Sequence, residues 1–140
     1  MRLAVLGLAL GLALAACASR AAKVNELIAK TGQRHVEFRA PLASATFCKA
    51  CGNGAPVTLT FGTPPNQIVL AVPLCYAHQQ AHVGDKDHFT VTDASDSTTA
   101  TTGELDITDC ITSHVTGKLA ASFASGLNVD VKFDTALTEP

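Results

Sequence analysis

The chain lacks tryptophan and has a single tyrosine. Beyond Cys51 it also lacks a basic cluster, since three lysines (Lys86, Lys118 and Lys132) stand against ten acidic residues. Nucleic-acid binding calls for a basic stripe with aromatic platforms, so that class of partner is excluded. Local signatures of catalysis are missing too: there is no Gly-x-Ser-x-Gly elbow, no phosphate loop and no Gly-x-Gly-x-x-Gly turn. An enzyme therefore has no positive support, and a catalytic site would have to assemble from distant positions. Long apolar runs are absent as well. The run Leu3 to Ala16 has 14 residues, whereas a spanning helix needs about 20.

That short run carries the first positive signal. Met1-Arg2 places one charge ahead of Leu3 to Ala16, the layout of a signal peptide. It ends in Leu14-Ala15-Ala16-Cys17, an aliphatic residue, two small ones and a cysteine. This resembles the lipobox of bacterial lipoproteins. The resemblance implies cleavage before Cys17, lipid on its thiol, a membrane as partner and a place in the cell envelope. Ala18 is not the aspartate that marks inner-membrane retention in such families, so the resemblance favours the outer membrane over the inner. The expected organisation is a signal peptide over residues 1–16, a lipidated tether over 17–34 and one β-rich domain over 35–140. In the tether, Val24, Leu27 and Ile28 fall at helical spacing and predict a short helix. Arg20, Lys23, Lys30, Arg34, Arg39 and Lys49 face only Glu26 and Glu37 in the first part of the mature chain. A basic stalk near anionic lipid would gain about 1 kcal/mol per basic group; a solvated linker with chance charges fits equally well.

Alternation of apolar and polar residues dominates the remainder. Val36 and Phe38 predict a first strand at an edge, interrupted by Pro41. Val57-Thr58-Leu59-Thr60-Phe61 alternates cleanly, the loop Gly62 to Asn66 follows, and Ile68 to Val72 reads as a strand buried on both sides or as a buried edge. Cys75 to His82 predicts one or two helical turns, Phe89 to Thr92 another strand, and Asp93 to Gly103 a mobile surface loop. Leu105 and Ile107 start a strand. Val115, Leu119, Ala121 and Phe123 share one face, as do Leu127, Val129, Val131 and Phe133, and between them Ala124-Ser125-Gly126 fits a three-residue hairpin loop with glycine in the left-handed position. About seven strands result, which predicts an all-β fold, a small antiparallel sandwich or barrel. The stretch from Gly103-x-Leu105-x-Ile107 through Val115-x-Gly117-x-Leu119 to Phe133-Asp134 also resembles a pattern found in bacterial β-sheet lipoproteins of unknown activity. That likeness implies fold and compartment only.

With Cys17 assigned to lipid, Cys48, Cys51, Cys75 and Cys110 remain. An even number in an exported chain predicts two disulfides and no cofactor. Three connectivities exist. Bonds closing long loops restrict the unfolded chain most, by about 2–4 kcal/mol each, which favours joining Cys48 and Cys51 to Cys75 and Cys110 over a local Cys48–Cys51 bond. A zinc site competes with this reading: Cys48-x-x-Cys51 and Cys75-x-x-His78 flank a hairpin, as in a zinc ribbon, and would give three thiolates and an imidazole. A redox Cys-x-x-Cys is disfavoured because Gly52-Asn53-Gly54-Ala55-Pro56 cannot start a helix promptly. His78 and His82 would share a helical face, but the glutamate of a zinc-protease motif is absent; His35, His88 and His114 read as surface residues. The sequence thus points to a non-enzymatic, disulfide-stapled envelope lipoprotein with a binding or structural role, with a zinc-binding lipoprotein and a lipid-anchored enzyme as alternatives.

Overall fold

A computed structural model describes residues 23–31, 37–49, 56–85 and 89–140. The described chain is all-β, and its ten strands are β1 (Glu26–Thr31), β2 (Glu37–Phe47), β3 (Val57–Thr63), β4 (Asn66–Val72), β5 (Gln79–His82), β6 (Thr90–Asp93), β7 (Thr98–Thr99), β8 (Thr102–Ile111), β9 (His114–Ser122) and β10 (Leu127–Ala136). They form one antiparallel sheet in the order β5-β8-β9-β10-β1-β2-β3-β4-β6-β7, curled into a half-barrel. The expected count of about seven is too low. β1 and β5 replace the two predicted helical segments, and β7 arises inside the predicted loop of residues 93–103. No helix among the described residues is long and apolar enough to cross a membrane.

Each correction has a local cause. The spacing of Val24, Leu27 and Ile28 suits a helix, but β10 and β2 pair with β1 on either side, and the period becomes two, with Leu27 and Ala29 buried and Lys30 exposed. Hydrogen bonding to two neighbours overrides a weak helical pattern. Pro41 does not end its strand, and β2 is interior, between β1 and β3. Pro41 pairs with Glu26 of β1, and the last β2–β3 pair is Leu42↔Phe61, so on the β3 side Pro41 falls just past the ladder, where a missing N–H breaks no pairing. Between Leu42 and Ser44 the register shifts, and the strand bends there. Its first half belongs to the β1 side of the curl and its second half to the β3 side. β4 is likewise interior, between β3 and β6, with Ile68, Leu70 and Val72 inward.

The C-terminal hairpin follows the sequence reading. Val129↔Ala121, Val131↔Leu119 and Phe133↔Gly117 pair inward, while Lys118, Asn128, Asp130 and Lys132 face solvent. Gly126 takes φ 88°, and its N–H donates to the Phe123 carbonyl. Both halves of the curl contribute to one apolar core containing Phe61, Phe89 and Phe133, each 2% exposed or less. Full burial of such a side chain contributes about 1.5–3 kcal/mol.

Every register places the strand ends on one of two rims. At one rim lie Asn25, the ends of β2, β4, β8 and β10 and the starts of β3, β5, β6 and β9; at the other lie Gly126, Pro64-Pro65 and residues 94–97. We call these the Asn25 rim and the Gly126 rim. β10 and β2 run on past the start of β1 and diverge, and Asn25 joins them. Its N–H donates to the Lys132 carbonyl and its own carbonyl accepts from the Leu42 N–H, both at 2.8 Å. Its side-chain amide accepts from the Asp134 N–H (2.8 Å) and donates to the Asp134 carbonyl (2.9 Å). Further along, the Phe47 N–H donates to the Thr138 carbonyl and the Thr138 N–H to the Ala45 carbonyl, so the C-terminal segment takes the place beside β2 that β1 vacates.

Candidate functional site

Among the described residues the cysteines, Cys48, Cys75 and Cys110, lie on the Asn25 rim. Cys75 precedes β5 and Cys110 closes β8, and the two form a disulfide with Cα atoms 6.0 Å apart. This bond ties the β4–β5 crossover to the β8–β9 turn. Cys48, just past β2, is disulfide-bonded as well. The expectation that Cys48 and Cys51 reach across to Cys75 and Cys110 is therefore corrected: the 35-residue separation from Cys75 to Cys110 is itself the long loop that is closed. Cys17 and Cys51 lie outside the described residues.

Oxidation of Cys75 also takes one thiolate from the proposed set Cys48, Cys51, Cys75 and His78, because a disulfide sulfur is not the thiolate that zinc binds. His78 is exposed, at φ 58°, with its N–H donating to the Thr108 carbonyl at 3.3 Å. Among the described residues no group of three or more His, Cys, Asp or Glu side chains could hold a metal ion. His78 and His82 do not share a helical turn. Extended backbone at about 3.3 Å per residue separates them along β5, and His82 lies near the opposite rim, 3.6 Å from Asp85 and 4.0 Å from Glu104. His114 contacts the Asp134 carboxylate through Nε2, and the Thr116 hydroxyl donates weakly to the same oxygen at 3.5 Å. His35 and His88 lie outside the described residues.

A feature that the sequence reading missed covers the outer face of β5, β8, β9, β10 and β1. There a shallow open trough of about 820 Å³ has Ala120 at its floor and His82, Glu104, Asp130, Lys30 and Lys132 on its walls. Register makes it: Ala120 faces Glu104 on one side and Asp130 on the other, so a methyl group sits amid long side chains. The Lys118 ammonium stands 3.6 Å from Asp106, and the Ser122 hydroxyl donates to Asn128 Oδ1 at 2.6 Å. Charges of both signs, all solvated, suit reversible contact with a polar partner. Single-strand alternation marks these residues as outward, but only the cross-strand register shows that a small one lies at the centre.

Gln79, 3% exposed, uses Oε1 to accept the Tyr76 N–H at 3.3 Å and so fixes the turn after Cys75. Among the described residues no buried side-chain polar atom lacks a partner. Comparison with protein-family models, curated proteins and solved structures gave no match.

Proposed function

We propose that the chain is a lipid-anchored protein of the bacterial cell envelope, favouring the outer membrane, whose non-catalytic, disulfide-stapled β-domain serves a binding or structural role. One observation carries the reading: a 14-residue apolar run ends at Leu14-Ala15-Ala16-Cys17, and the domain that follows holds the oxidised pair Cys75–Cys110. Disulfides persist in oxidising compartments, and an export signal with a lipobox leads to one. In this reading the curled sheet is an incomplete barrel with a filled core, and the mixed-charge trough over Ala120 is the surface available to a polar partner.

Fractionation of cells of an exporting bacterial host tests the assignment. Wild type is expected in the membrane fraction, released only by detergent. A Cys17→Ala variant is expected to lose the lipid and leave that fraction. Retention of Cys17→Ala in the membrane to the same extent as wild type would remove the basis for a lipid anchor.

A further inference from the structure

Among the described residues four large apolar side chains are exposed: Val24 (57%), Leu74 (38%), Tyr76 (50%) and Ile111 (53%). All four lie toward the Asn25 rim. Leu74 and Tyr76 flank Cys75, Ile111 follows Cys110, and the disulfide holds the two segments together. Val24 sits in the turn that leads into β1, closed by the Glu26 N–H donating to the Lys23 carbonyl.

We infer that the Asn25 rim is the membrane-facing end of the domain, with Leu74, Tyr76 and Ile111 seated in the lipid interface. The inference rests on the lipid anchor proposed above. From Cys17 to Lys23 there are six Cα-to-Cα steps, which span at most about 20 Å. Asn25 bonds to β10 level with Phe133, three residues from the end of that strand and six from its start. At about 3.3 Å per residue these are some 10 Å and 20 Å. The tether thus reaches past the Asn25 rim, while the Gly126 turn stays at or beyond its limit. An acyl chain at Cys17 holds this rim against the headgroups, and the apolar side chains stand where they meet lipid.

Chemistry agrees with the placement. Tyrosine, apolar along its ring and polar at its hydroxyl, suits the headgroup boundary. Among the described residues the Gly126 rim instead carries Asp85, Asp93, Asp96 and Glu104 beside Lys30, and an anionic leaflet disfavours these acids. The Asn25 rim exposes Lys23 and Lys49 along with Asp109, Glu139 and the His114–Asp134 pair. Two lysines there stand against three carboxylates, a small imbalance, so apolar contact decides the orientation.

The missing tryptophan makes the test direct, because any tryptophan introduced is the sole one. Full-length lipidated Tyr76→Trp, Ile111→Trp and Ala124→Trp variants are reconstituted in phosphatidylethanolamine–phosphatidylglycerol vesicles whose acyl chains carry bromine, a short-range quencher. Interfacial groups sit about 5–10 Å into the headgroup–acyl boundary, so tryptophan at 76 and at 111 is expected to be quenched at least about threefold more than at 124, which lies on the Gly126 rim. Equal quenching at all three sites, in protein that still floats with the vesicles, overturns the docking and leaves the anchor intact. Protein that fails to float, with no acyl mass on Cys17, overturns the anchor and the docking with it. Shielding of positions 76 and 111 without vesicles, in a sedimenting dimer, shows a second copy in place of lipid and overturns the inference as well.

Discussion

At Gly117 there is no room for a methyl group. A Cβ there would lie 2.5 Å from the Asp106 carbonyl oxygen and 2.8 Å from the Phe133 ring, which packs across the glycine from the facing strand. Gly117→Ala is expected to destabilise the domain by about 1–3 kcal/mol, the usual cost of overpacking, read as a lower midpoint in urea unfolding with unchanged slope. Asn25 is the second sensitive residue. It combines a left-handed φ of 64° with two side-chain bonds to Asp134. Asn25→Gly keeps the conformation and loses those bonds, so its cost of about 1 kcal/mol isolates the bonds, whereas Asn25→Ala should cost more because alanine resists that φ. Neither residue was legible in the sequence. Gly117 alternates like any strand residue, and the role of Asn25 depends on two strands that diverge more than a dozen residues away in each case.

Elements differ in how much of themselves they reveal. β9 and β10 were readable because their apolar period and their turn are local, and Gly126 marks the turn. β1 was not, because one of its two partners, β10, is remote and its spacing also satisfies a helix. β7 is two threonines inside a run of Asp, Ser and Thr, held by pairing to β6 and by the turn before it. In that turn the Thr98 hydroxyl and N–H both donate to Asp96 Oδ1, at 2.6 and 3.1 Å. The hydroxyl bond first, and then the N–H bond, lower the Asp96 pKa from its ordinary value. The folded value lies below the unfolded one, so this contribution is present above the ordinary carboxylate range and is lost as pH falls through the lowered value. Hydrogen exchange at the Thr98 amide should therefore gain protection across that range as pH rises, after correction for intrinsic rates, and Asp96→Asn should flatten the dependence.

The disulfide was legible as chemistry and not as connectivity. An even count of cysteines after Cys17 predicts bonds, yet three pairings fit, and the curl that brings the β4–β5 crossover to the end of β8 has no signature in spacing. Closing a loop of 35 residues implies a loss of about 3–4 kcal/mol for Cys75→Ala in the chain-entropy account. Cys110→Ala and the double variant should each lose the same amount. A double variant markedly worse than either single one would mean that the sulfurs contribute separately.

On the scale of the whole molecule, the half-barrel is polarised between its rims. The Asn25 rim gathers the N-terminal entry, the Cys75–Cys110 bond and the exposed Leu74, Tyr76 and Ile111, and the Gly126 rim gathers exposed acids. Reading residues singly, the sequence suggested a basic stalk and an acidic domain. In the fold Arg39 donates to Glu26 at 2.7 Å across β1 and β2, so part of that stalk is neutralised inside the sheet. The all-β class was visible from alternation alone, whereas the trough over Ala120 and the polarity of the rims are products of register and curl.

Whether the exported chain begins at an acylated Cys17 is tested most directly by the intact mass of the protein isolated from an exporting host. The expected species is a polypeptide lacking residues 1–16, heavier than its amino acids by a lipid, and heavier again by about four mass units on reduction, as two disulfides require. A mass that begins at Met1, carries no acyl group and does not change on reduction would contradict this expectation.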